Sequence, residues 1–147
     1  LYQVDREVNE SMAVWFFARL TGREEVPSVR TDAFGSAEFV FNDDFTRLRF
    51  RLFVNDLEKF TVAHIHLGMR GENGPVVVFL FGPVTRGISV DTGVVTGTIT
   101  EKDLVGPLQG MSLSELARQM QTGNTYANAH TERHPNGEIR GQIRKVQ

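Results

Sequence analysis

The chain contains no cysteine. That absence removes disulfide bridging, zinc knuckles, iron–sulfur ligation and thiol catalysis from consideration. Lysine is nearly as scarce, three residues against thirteen arginines, and arginine is the better partner for planar, bidentate contacts. An excess of one charge is missing too. Sixteen basic and eighteen acidic residues leave a net charge of −2, whereas a general nucleic-acid binder carries a basic surplus. No apolar run approaches the ~20 residues of a membrane-spanning helix; the longest are Met12 to Ala18 and Val76 to Phe81. Neither nucleic acid nor a membrane span is therefore expected. Phosphate-binding loops, GxGxxG, GxSxG and EF-hand loops do not occur, and there is no internal repeat or low-complexity tract.

What is present is ordinary for a globular protein. At 147 residues the chain suits one domain, large enough to bury about two-thirds of its unfolded surface. Forty per cent hydrophobic and 23 per cent charged residues argue against long disordered stretches. The polar first segment, residues 1–12, reads as an N-terminal arm, and 13–147 as a single domain. The sequence opens on Leu1 rather than Met, from which a processed N-terminus is expected. Asn9-Glu-Ser11 is a glycosylation sequon that matters only outside the cytoplasm. Lack of cysteine leaves the compartment open.

Eleven phenylalanines, with many valines and threonines, favour pleated structure, and turn residues recur every few positions. Strands are expected near 13–20, 34–41, 46–54, 60–67, 75–82, 90–100, 124–130 and 137–145. In the clearest, Leu48, Phe50 and Leu52 alternate with Arg47, Arg49 and Arg51, the pattern of a half-buried antiparallel strand. The arginine face reads as solvated and paired with the flanking acids Asp43, Asp44, Asp56 and Glu58. One helix is expected at 112–122. Ser112 and Glu115 form a capping-box pattern, Leu113, Leu116, Ala117 and Met120 make an apolar stripe, and Gly123 stands at the C-cap. Short strands with one inserted helix predict an all-β antiparallel sandwich or flattened barrel.

All four histidines lie in two segments, His64 and His66 in AHIHLG, His130 and His134 in NAHTERHPNGE. Residues i and i+2 of a strand share a face, so two imidazoles in HxH spacing can converge on one copper or zinc ion. Tyr126, Asn128 and His130 share a face of a later strand, which offers a third nitrogen, and His134 in the following turn offers a fourth. The same spacing also fits hydrogen-bonded interior histidines, because Phe60 and Val62 lie on that face. Glu24, Glu25, Glu138 and Arg140 form a further cluster. Arg140 is expected to pair with a carboxylate, either Glu138 or Glu24/Glu25.

Four segments resemble the CHRD domain, the module named for chordin. Leu20-Thr-Gly-Arg-Glu-Glu-Val-Pro27 is similar to its opening element and Ala33-Phe-Gly-Ser-Ala-Glu-Phe39 to the strand that follows. Ala63-His-Ile-His-Leu-Gly68 with Gly71-Glu-Asn-Gly-Pro-Val-Val-Val78 resembles the centre. Tyr126-Ala-Asn-Ala-His-Thr131 through Pro135-Asn-Gly-Glu-Ile-Arg-Gly-Gln-Ile143 resembles the closing segment. The likeness runs from about residue 14 to 145; Ser28 and Ala129 are minor departures. It implies an antiparallel Greek-key β-sandwich, immunoglobulin-like or superoxide-dismutase-like, in a secreted or cell-surface protein, and no settled activity. The expectation is a non-catalytic binding module for a protein or surface partner, with a metal site at His64, His66, His130 and His134. The alternative is a copper-binding protein, or a dismutase-like copper enzyme, using His64, His66 and His130; zinc is the alternative metal. Residues alone leave the partner and the oligomeric state open.

Overall fold

Alternation of apolar and polar residues shapes the strands Val14–Thr21 and Phe34–Phe41 and the first half of the third strand, Leu48–Leu67. The computed structural model, which describes residues 13–146, contains eight strands and one α-helix. They are β1 (Val14–Thr21), β2 (Phe34–Phe41), β3 (Leu48–Leu67), β4 (Val76–Phe81), β5 (Ile88–Ile99), α1 (Leu113–Gln121), β6 (Thr125–Thr131), β7 (Ile139–Gln142) and β8 (Arg144–Lys145). Short 3-10 turns occupy Gly22–Glu24, Glu101–Asp103 and Gly106–Leu108. The expected arm at 1–12 and the sequon at Asn9 lie outside the described residues.

β3 is the organising strand. Its first half pairs with β2, from Leu48↔Phe41 to Asn55↔Phe34, and with β5, from Leu48↔Ile99. Its second half pairs with β6, from Phe60↔Thr131 to Leu67↔Thr125, and with β4. β2 pairs with β1, β1 meets β7 at Thr21↔Arg140, and β7 pairs with β6. These antiparallel pairings form a ring, so the sheet closes into a barrel-like arrangement. Two strands expected separately, 46–54 and 60–67, are one strand of 20 residues. Asp56 and Lys59 take positive φ (54° and 55°), and the register with β5 shifts between Leu57 and Phe60. The polar segment thus bends the strand as a bulge and does not end the ladder. The expected strand at 137–145 is instead two short ones, β7 and β8, which keep one register along β1 (Thr21↔Arg140, Phe17↔Arg144). Between them buried Ile143 donates its N–H to the Thr125 carbonyl of β6.

The inner side of the ring is apolar. Phe16, Phe39, Phe41, Leu48, Leu52, Ile65 and Ile139 are all fully buried there, with Ala63, Ala127 and Ala129 on the central strands. Close approach of β1 and β7 requires Gly141, since a Cβ on it would stand 1.9 Å from the Arg19 carbonyl oxygen. α1 buries the expected stripe of Leu113, Leu116, Ala117 and Met120. Its N-terminus corrects the expected capping box. The Ser112 side chain makes no cap bond; the Glu115 N–H donates to the Ser112 carbonyl instead. The Glu115 carboxylate turns to Arg118 and Gln119 one turn on rather than back to the Ser112 N–H. On the outward face, Arg49 and Arg51 are exposed. Neither is in an ion pair with the acids expected to neutralise them; among the described residues the ion pairs are Arg70–Glu24 and Arg118–Glu115.

Candidate metal centre

Every residue of β6 is buried, and that fact locates the site. One face of β6 packs on the apolar interior through Ala127 and Ala129. The other carries Tyr126, Asn128 and His130, and it is covered by the segments around 22–31 and 68–75. Antiparallel pairing places directly opposite residues on one side of the sheet. The pairs Val62↔His130, His64↔Asn128, His66↔Tyr126 and Asn128↔Arg140 therefore gather three histidines, an asparagine, a tyrosine and an arginine on the covered face. His64, His66 and His130 are each at most 8% exposed.

Their ligand nitrogens all lie within 4.8 Å of one another. His64 Nδ1 and His130 Nε2 are 3.3 Å apart. That is close to the ~3.4 Å separating two nitrogens each about 2.0–2.1 Å from one tetrahedral ion. Two backbone carbonyls orient the rings. His66 Nδ1–H donates to the Gly74 carbonyl at 3.0 Å, and His130 Nδ1–H donates to the Pro135 carbonyl at 2.8 Å. Each of these imidazoles thus carries its proton on Nδ1 and turns a bare Nε2 toward the centre. Burial holds all three imidazoles in the neutral form that binds metal. It lowers His66 and His130 below the usual histidine range, and with the neighbouring imidazoles it pushes His64 down to about 3.

Asn128 stands beside the three rings. Its Oδ1 lies 2.8 Å from His66 Nε2 and 3.0 Å from His130 Nε2. An amide oxygen facing two bare nitrogens needs a proton or a cation between them, or the amide must turn its NH₂ inward. The Asn128 NH₂ faces Glu25 Oε2 at 3.5 Å. Glu25 is buried, and desolvation pushes its carboxyl up to about 7 against the hydrogen bond from Asn128 and the charge of Arg140. Gly137 leaves room for this pair, because a Cβ there would lie 2.4 Å from Glu25 Oε2.

Aromatic rings close the periphery. Tyr126 stacks on His66 at 4.6 Å between centroids, and Phe79 meets His64 edge-on at 4.6 Å. The Arg140 guanidinium lies 3.5 Å from the Tyr126 ring centre. The carboxylate partner expected for Arg140 is absent: neither Glu138, Glu24 nor Glu25 forms an ion pair with it. Arg140 donates instead to the carbonyls of Met69 and Glu72 and to Asn73 Oδ1, so its planar fork ties the 69–73 loop over the site. Glu138 accepts from the hydroxyls of Thr31 and Thr131, and Glu24 pairs with Arg70.

Three of the four expected ligands come together and His134 does not. It lies in the turn after β6, where its backbone N–H donates to Thr131 Oγ1 and its carbonyl accepts from Gly137, beside a surface groove shared with Arg30, Glu132 and Glu138. Asn128 was visible in the sequence as a neighbour of His130 on its strand. The orienting carbonyls of Gly74 and Pro135 carried no signal, because a backbone oxygen has the same sequence signature everywhere.

Among the described residues no helix is long and apolar enough to cross a membrane. No curated protein matches the chain. Comparison with protein-family models matches the CHRD domain over residues 16–143, which takes in every strand that builds the covered face, and the chain belongs to the CHRD domain family.

Proposed function

We propose that this CHRD domain is a secreted or cell-surface binding module that carries copper, or alternatively zinc, on His64, His66 and His130. The observation that carries the reading is the pair of bare Nε2 atoms on His66 and His130, set by the Gly74 and Pro135 carbonyls and converging with His64 Nδ1. Carbonyls that fix the tautomer of ligating histidines are a regular part of metal sites, and rings mounted on paired strands need little reorganisation to bind. Placement outside the cell rests on the family resemblance. So does the finer fold reading, a Greek-key sandwich of immunoglobulin or superoxide-dismutase kind. Three protein nitrogens leave a further coordination position open, an arrangement shared with catalytic metal sites. A dismutase-like copper enzyme is therefore the alternative at the same residues.

The test uses tag-free protein at pH 7.5. Cu(II) or Zn(II) is expected to raise Tm by mass action and to bind at one ion per chain by elemental analysis. The rise is expected to vanish in His64→Ala, His66→Ala and His130→Ala and to persist in His134→Ala. Because burial lowers all three imidazoles from the usual histidine value, proton competition for the site sets in at lower pH than for free histidine. A Tm indifferent to metal, or one shifted equally in all four variants, overturns the reading and leaves a hydrogen-bonded histidine cluster. Superoxide consumption by copper-loaded protein, lost in the same three variants, would select the enzyme.

A further inference from the structure

β5 is a sheet edge. Among the described residues it pairs with β3 alone, so every second N–H and C=O along Ile88–Ile99 points away from the sheet. Natural edges are usually protected by lysine, proline, a bulge or an inward-pointing charge. β5 contains neither lysine nor proline, and Asp91 is its one charged residue. From Leu48↔Ile99 to Asn55↔Thr92 its register with β3 is unbroken. Thr92, Thr96 and Thr98 are exposed on its outward face, and Val94, in the middle of the strand, is 50% exposed.

We propose that β5 is the surface through which two copies of this chain join, strand to strand and antiparallel, about a two-fold axis at Val94. The charges support this partner and this direction. Arg49 and Arg51 are exposed on β3 opposite Thr98 and Thr96, at one end of β5. Asp91 on β5, with Asp56 and Glu58 on β3, is exposed at the other end, where the acids outnumber the one neighbouring β3 cation, Lys59. An antiparallel two-fold sets the basic end of each copy beside the acidic end of its partner; a parallel pairing sets like beside like. Exposed ion pairs of this kind add little affinity but do select orientation.

Symmetry also limits the register. A two-fold axis perpendicular to the sheet keeps the outward rows of both copies on one side, so it must pass through a residue and not between two. With the axis at Val94, that side chain packs on its own counterpart. Thr92 then opposes the partner's Thr96, which like the Val94 pair is a β-branched contact of the kind that stabilises sheets. Asp91 opposes the partner's Gly97, so no like charges meet. The result is one continuous sheet across both copies, with the outward backbone groups of β5 satisfied.

Sedimentation equilibrium of the full chain tests this, with a concentration-dependent mass reaching two chains as the expected result. Val94→Lys, which sets two like charges face to face at the axis, is expected to abolish the dimer while leaving Tm of the dilute protein unchanged. Because the chain has no cysteine, Val94→Cys supplies a single thiol. Directly opposite residues in antiparallel strands lie about 4.5–5.5 Å apart at Cα, within disulfide reach. Diamide is expected to cross-link Val94→Cys far faster than Asp43→Cys in the exposed β2–β3 turn. A mass of one chain at all concentrations, a Val94→Lys protein that dimerises like wild type, or equal cross-linking of the two cysteine variants overturns the proposal.

Discussion

Glu25 and the three histidines of the covered face are buried to a similar degree and respond to pH in opposite directions. The Glu25 carboxyl is pushed up to about 7 by desolvation, from an ordinary value of 4.5. Between those values the folded chain holds a proton that the unfolded chain has released. Its contribution to stability is therefore fully present below about pH 4.5 and is lost as pH rises through about 7. His64 is pushed down to about 3, chiefly by desolvation. Its contribution is present above about pH 6.5 and is lost as pH falls toward about 3. In the window they share, roughly pH 4.5 to 6.5, the Glu25 slope opposes the histidine slopes and offsets part of them. The metal-free wild type is therefore expected to lose stability on acidification less steeply than the histidines alone would dictate. Glu25→Gln removes one slope and keeps the shape. Its expected outcome is a gain at pH 8 on the order of 3 kcal/mol, with a steeper loss on acidification, read by urea unfolding across pH. A profile parallel to wild type would mean that Glu25 is not held protonated.

At the scale of the element, β3 does two jobs because it bends without ending. The bend depends on Asp56 and Lys59 in the left-handed region, which costs a residue with a Cβ about 1–2 kcal/mol, aspartate being among those that tolerate it better. Lys59 is the more strained of the two, and its contacts at the bend are made by its backbone: N–H to Ser89 Oγ, and carbonyl from Glu132 N–H. Lys59→Gly keeps those bonds and relieves the strain, with an expected gain of up to about 1 kcal/mol. Lys59→Val, β-branched at positive φ, is expected to lose more than that. Equal stabilities for the two variants by urea titration would contradict a strained bend. The sequence marked the right place, 55–59, as a break in alternation. It did not distinguish a loop from a bulge, because that choice turns on whether β5 and β6 can both keep pairing at Phe60.

At the scale of the whole molecule, β6 and β5 stand at opposite extremes. β6 is flanked by β3 and β7 and buried on both faces, so its amides are expected to exchange with solvent only through global unfolding. β5 has one neighbour among the described residues and exposed residues along most of its length. Hydrogen exchange on dilute protein is expected to leave Ala127 and Ala129 among the slowest amides and the outward amides of β5 among the fastest. Comparable protection of the two strands in dilute protein would contradict the ring of pairings, in which β5 lies outside and β6 within.

Much of this molecule was legible before folding. The alternation of β3, the apolar stripe of α1, the HxH face of His64 and His66 and the motifs of the family are patterns along the chain. A two-residue or 3.6-residue period survives in sequence because side-chain direction follows backbone position. Tertiary structure decided the rest. It chose His130 and left out His134, through a pairing register that sets Val62 opposite His130. It gave Arg140 carbonyl partners in a loop some seventy residues away in place of the expected carboxylate. It also set the tautomers of His66 and His130 through the oxygens of Gly74 and Pro135. Those acceptors belong to backbone that every residue carries, so only the path of the folded chain, and no residue type, determines which imidazole they meet.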